Sequence, residues 1–335
     1  MFASPRLSRH PFGTLALICG LTVILSACDL GTAPQSTPVP ASTATGATKY
    51  DITNFDYPNS VGTTLFAIGN DGRIAGFYSK SESLVGDIGH KRVRGFVWQS
   101  NVRDLGASLS EFVVPQSDEN AAALAIGPNG EVLGYFIDKD EKTHAYMRSA
   151  DGKTFTVIDH PKSAGQTLAF GMNKAGLISG FYIDSGKGVH GYVRSADGNT
   201  FTDFDHPKGT GTTYGQSINE AGQVVGHYTD STGFHAFVRS ADGKTFTDFE
   251  HPQAKEGTSG LAINKAGEVA GFYIDGDKGV HGYTRSADGK TFSTIDDPKG
   301  VGKTYAFGMN DAGQVVGYYV DDKGNNRGFI ASPAP

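Results

Sequence analysis

At 335 residues, with 29 Lys and Arg against 35 Asp and Glu, the chain is mildly acidic. That balance argues against a nucleic acid partner, which would require a basic face. With only two cysteines there is no disulfide framework to lean on, so stability has to come from burial, which a domain of about 285 residues can supply.

The first 27 residues read as a secretion signal, with Arg6 and Arg9 ahead of an apolar run over 15–25. The run is shorter than the roughly 20 apolar residues that a membrane span requires. It ends in Leu25-Ser26-Ala27-Cys28, which resembles the lipobox of bacterial lipoproteins. The resemblance implies cleavage before Cys28 and lipidation of that residue, so the mature chain would be exported and membrane-anchored, facing the periplasm or the cell surface. Cys19 would leave with the signal. Residues 28–48 then carry the lipidated cysteine and a flexible Pro/Ser/Thr linker with no aromatic residue, a composition unable to bury a core.

From 49 to 332 the chain is a repeat. One glycine recurs as Gly72, Gly130, Gly176, Gly222, Gly267 and Gly313, each followed four residues later by another glycine. Each unit holds four short strand-like runs and no room for helices. In unit 4 the runs are 213–219, 223–230, 234–240 and 244–252, the last two joined by Ala241-Asp242-Gly243. An Asp-Gly pair between alternating runs is a hairpin signal, its favoured turn needing φ > 0 at both central residues. In the first run, small residues such as Ala125, Gly171, Ser217 and Gly308 recur, as expected for an innermost strand crowded near an axis.

The last unit stops after its third strand at Arg327-Gly328-Phe329-Ile330, while residues 51–58 align with the fourth strand at 200–207. The expectation is an all-β fold: a six-bladed β-propeller of four-stranded antiparallel blades, the N-terminal strand completing the last blade. Closure of that kind removes open sheet edges.

The repeat motif His235-Ala236-Phe237, with His144-Ala145-Tyr146, His190-Gly191-Tyr192 and His281-Gly282-Tyr283, resembles the HAF-repeat family of bacterial extracellular proteins. Units 1 and 6 put arginine in place of the histidine, as Arg94 and Arg327. The resemblance implies an exported repeat protein and carries no catalytic residue across. The run Ser195-Ala196-Asp197-Gly198-Asn199-Thr200-Phe201 is similar to the Asp-box of sialidase-type propellers but lacks the residue between Asp and Gly. That element belongs to the fold and says nothing of glycosidase chemistry.

Antiparallel order puts the turns after first and third strands on one face. The opposite face collects Asp138, Asp184, Asp230 and Asp275, the histidines His144, His190, His235 and His281, and the His-Pro pairs at His160, His206 and His251. A ligand is expected there, at the channel mouth, by analogy of fold. A catalytic group is needed once and a fold element in every blade, so the repeated Asp and His read as structural hairpin closures. The His-Pro pairs read as exposed turns. No metal or cofactor is expected: histidines on different blades are too far apart to share an ion, and Asp275-Gly276-Asp277 lacks an EF-hand ligand ladder.

Function is sought where symmetry breaks. Between Gly76 and Gly95 unit 1 is eight residues longer than the common spacing. The candidate ligand-binding residues there are Lys80, His90, Lys91, Arg92, Arg94 and Trp98, the only tryptophan. Asp118 and Glu119 precede unit 2, and in unit 4 Gln216 and His227 replace apolar residues. A binding or interaction scaffold follows: a monomer that takes a protein or glycan ligand of the cell envelope and meets the membrane through the lipid anchor only. The alternatives are a glycan-directed hydrolase or lyase and a structural envelope or matrix protein. No paired carboxylates of the kind glycoside hydrolysis uses stand at unique positions.

Overall fold

A computed structural model describes residues 47–80, 93–99, 109–117 and 120–335. They form 24 strands and no helix. Cys28, the signal segment, His90, Lys91, Arg92, Asp118 and Glu119 lie outside the described residues.

Unit 4 shows how local chemistry makes the meander. Its strands are Thr213–Ile218, Val224–Asp230, Gly233–Arg239 and Phe246–Phe249, each antiparallel to the next. Between the first two, Asn219 Oδ1 accepts the amides of Ala221 and Gln223 at 3.1 and 3.0 Å. Gly222 closes that turn at φ 84°, a conformation costly for any residue with a Cβ. The second glycine of the pair serves a different need: a Cβ on Gly226 would fall on the carbonyl oxygen of Tyr214 in the paired strand.

The third-to-fourth turn departs from the two-residue expectation. Only Gly243 has φ > 0, at 74°, and its amide donates to Ser240 O at 2.9 Å. The outer pair closes at Ser240 N→Thr245 O. A type I turn followed by a left-handed glycine fits a longer loop. Ser240 Oγ sets it by donating to Asp242 Oδ1 at 2.6 Å and accepting from Thr245 N at 3.0 Å.

The last sheet runs in the order Tyr50–Phe55, Asn326–Pro333, Val315–Val320, Thr304–Met309. The N-terminal strand thus supplies the missing outer strand, in register from Tyr50↔Pro333 to Phe55↔Gly328. Its aromatic residues also reach into unit 1. Phe55 stacks on Trp98 at 4.1 Å and Tyr57 on Tyr78 at 3.7 Å.

Six separate sheets are not what the hydrogen bonds give. Four blades are separate four-stranded sheets, and units 4 and 5 share one eight-stranded sheet. The join is a single parallel pair, Phe234↔Gly257. Equivalent bridges occur at Thr143↔Gln166, Val189↔Thr212 and Val280↔Lys303. In those units the partner lies just ahead of the first strand. In unit 5 that strand already begins at Gly257, so the bridge fuses two meanders.

Neighbouring units are tied by the His-Pro residues, which are buried and not exposed turns as expected. His160 stacks on Tyr182 of the next unit at 3.7 Å and bonds Asp203 at 2.8 Å. His206 repeats this with Tyr228 and Asp248, and His251 stacks on Tyr273. Burial lowers the pKa of all three, to about 4 for His251, and for His160 and His206 the neighbouring aspartate only partly offsets it.

Candidate functional site

The first strands touch one another in a closed ring, Thr304–Met309 meeting Gly62–Ile68. Small residues permit the approach. A Cβ on Gly171 would come within 2.7 Å of Ile218 N, and one on Gly308 within 2.7 Å of Phe66 O.

Each first strand also slips register against its second, at Phe66, Leu124, Phe170, Leu261 and Phe307 and, in unit 4, across Gln216 and Ser217. A bulged residue is released from the ladder and its side chain re-aimed. The five and Gln216 line the floor of a cavity of about 430 Å³ on the axis. Below it the axis is filled: one buried cluster draws on every unit, with Tyr135, Phe181, Tyr214, Phe272 and Tyr318 among its members.

The cavity opens on the face of the first-to-second turns, opposite to the face where a ligand was expected. Its rim includes Asn70, Asp71, Lys174, Glu220, Lys265 and Asp311. The rim acids are engaged. Asp71 meets the Arg73 guanidinium at 2.5 Å. Glu220 accepts the Lys174 amide at 3.0 Å, and Asp311 accepts the Lys265 amide and Asn70 Nδ2, each at 2.8 Å. Among the described residues the ammonium groups of Lys174 and Lys265 have no ion-pair partner.

Gln216 breaks the floor's apolar pattern. It is only 5% exposed, and its side-chain amide has no hydrogen-bond partner among the described residues. Behind it His227, also buried, stacks on Tyr214 at 4.5 Å and bonds Ser259 Oγ through Nδ1 at 3.0 Å. Among the described residues its Nε2 has no partner. Burial alone lowers its pKa to about 3, so the ring is neutral at pH 7.

On the opposite face each repeat histidine sits between two carboxylates. His144 meets Asp138 and Asp159 at 3.1 and 2.9 Å, and His190 meets Asp184 and Asp205 at 3.4 and 2.8 Å. His235 lies between Asp230 and Glu250, and His281 between Asp275 and Asp296. Arg327 takes the same position in unit 6, bonding Asp321 and Asp56. Partial burial opposes charging of His235 and His281, yet their hydrogen bonds to the flanking carboxylates outweigh it and both pKa values are raised. The first carboxylate of each clamp belongs to the same hairpin as its histidine, and the second to the adjacent fourth strand's end. Among the described residues no cluster of three or more metal-binding side chains has metal-site geometry.

Of the unit 1 candidates, Lys80 lies 5.7 Å from the Tyr78 ring and Arg94 pairs with Glu111 at 2.7 Å. Trp98 is corrected from a binding residue to a core residue. It is buried against Phe55, because its strand packs on the closing N-terminal strand. The floor and the two rim lysines were missed. The floor's signal is the large residue held between two small ones in five of the six first strands, Leu65 beside Phe66 being the exception.

The architecture defines a β-propeller. No family model and no curated protein matches the chain. Among solved structures, the putative TolB from Agrobacterium tumefaciens is similar at 12% identity over 86% of this chain and 99% of its own, with a TM-score of 0.57. AofleA from Arthrobotrys oligospora is similar at 12% identity over 86% and 88%, TM-score 0.52. A mutant of the Aleuria aurantia lectin in complex with Fucα1-6GlcNAc is similar at 13% identity over 82% and 99%, TM-score 0.50. At such identities the likeness establishes the fold alone.

Proposed function

We propose that this chain is an exported, lipid-anchored β-propeller that acts as a binding scaffold, with the axial cavity as its ligand site. The observation that carries this reading is the cavity itself: bulged side chains from six units form its floor, and Gln216 presents to it an amide with no partner among the described residues. Concave, mostly apolar pockets with a few polar groups are the usual form of small-molecule sites. The Aleuria aurantia lectin, a propeller similar in shape, was solved with a disaccharide, which supports a glycan or a comparable small ligand. In this reading the ring has six blades, the eight-stranded sheet being counted as two on either side of its single parallel pair, and the six glycine-marked repeats support that count.

Export rests on Arg6, Arg9, the apolar run and Leu25-Ser26-Ala27-Cys28. Cells fed labelled palmitate should label the wild-type chain and leave Cys28→Ser unlabelled. Equal labelling of both would remove the anchor.

The cavity is tested with Gln216→Phe, which restores the side chain found at Phe170 and Phe307 and fills the space. Thermal shift against a panel of envelope glycans and small metabolites should find a ligand that stabilises the wild type. Saturation at about a hundredfold over Kd adds roughly 2.7 kcal/mol. The variant should fold with equal or higher stability and show no shift. A shift retained in full by Gln216→Phe would place the ligand elsewhere.

A further inference from the structure

The rim's charges are unequal in how free they are. Asp71 is neutralised by Arg73, and Glu220 and Asp311 are held by backbone amides. Lys174 and Lys265 are exposed, with no ion pair among the described residues. These lysines belong to units 3 and 5, on either side of unit 4, which contributes Gln216. Across the floor, units 6 and 1 contribute Phe307 and Phe66, stacked at 4.1 Å. The side formed by units 3 to 5 therefore carries two ammonium groups, the Gln216 amide and one carboxylate, Glu220, which the Lys174 backbone amide holds, and the opposite side is aromatic.

Resting on the cavity as the ligand site, we propose that it takes a small organic anion with a flat apolar body. The body lies against Phe66 and Phe307, where offset ring packing is favourable. The anionic end, a carboxylate, sulfonate or phosphate, lies between the Lys174 and Lys265 ammonium groups, compact charges on flexible stems that adapt to any of these. The Gln216 amide bonds a polar atom at the body's edge. A cavity of about 430 Å³ admits one such molecule.

The test uses two dyes of like shape on the full chain: anilinonaphthalene sulfonate, which is anionic, and N-phenylnaphthylamine, which is uncharged. Fluorescence titration should give one sulfonate site. Lys174→Ala with Lys265→Ala should weaken it roughly tenfold, as should raising salt to about 0.5 M, since exposed charges are screened. The uncharged dye should bind the double variant and wild type alike, and Gln216→Phe should lose both dyes. If the double variant binds the sulfonate as wild type does, the anion inference falls and the cavity stands. Should wild type bind neither dye, or Gln216→Phe keep both, the anion inference and the cavity reading fall together.

Discussion

Removing residues 50–58 is expected to lower the melting temperature steeply and to produce self-association at micromolar concentration. The segment supplies six ladder pairs to the last sheet. Asn54 also bonds Asp297 and Lys299 of the preceding unit, and Tyr57 OH reaches Glu111 in unit 1 at 3.3 Å. Phe55 and Ile52 would each contribute about 1.5–3 kcal/mol if fully buried, Ile52 less because it is half-buried. Loss of the strand leaves Asn326–Pro333 as an open edge, and unpaired edges recruit other chains. The point variant Phe55→Ala separates packing from pairing. It keeps the ladder, strips the partner from Trp98, and should cost about 3–5 kcal/mol, roughly 10 °C for a domain of this size. Thermal unfolding and size-exclusion chromatography read both effects. A deletion that melts like the wild type would refute closure by this strand.

His227→Phe should stabilise the protein more at pH 5 than at pH 7.5, by about 2 kcal/mol. The folded pKa is about 3, against about 6.5 in the unfolded chain. Below pH 6.5 the unfolded chain takes up a proton that the folded one refuses, so stability falls with pH until the folded group also titrates. At pH 5 the size of the loss is set by the unfolded pKa alone. Phenylalanine suits the position, since the other units hold Phe77, Tyr135, Phe181, Phe272 and Tyr318 there. His235 and His281 act in the opposite sense. Their raised values give stability that is present below pH 6.5 and lost as pH rises through the folded pKa. Comparing the variant with wild type at each pH cancels them. Urea unfolding at both pH values measures the difference, and an equal gain at the two would show that His227 is not held neutral.

The meander and its closure were legible because their causes are local. Asn219, Gly222, Ser240 and Gly243 make their turns with neighbours in sequence, and residues 51–58 carry the same pattern as 200–207. The hairpin clamps were legible too, as far as Asp184 and His190 are six residues apart. What stayed hidden depends on contacts between units. His206 reads as a turn residue until Tyr228 of the next unit is laid against it, and Trp98 as a surface anomaly until the closing strand covers it. The same holds for the cavity. Symmetry marks Gln216 and His227 as departures, but the bulge that aims Gln216 at the axis leaves no mark in a strand of ordinary length.

That bulge has an evolutionary consequence. The six floor residues lie outside the ladder pairs that hold their strands, so any one can be exchanged without altering register. Duplication of one unit copies the scaffold and a default floor residue together. Later divergence can then write the pocket one residue per unit. Phe66, Leu124, Phe170, Gln216, Leu261 and Phe307 form such a six-letter word, in which a single letter is polar.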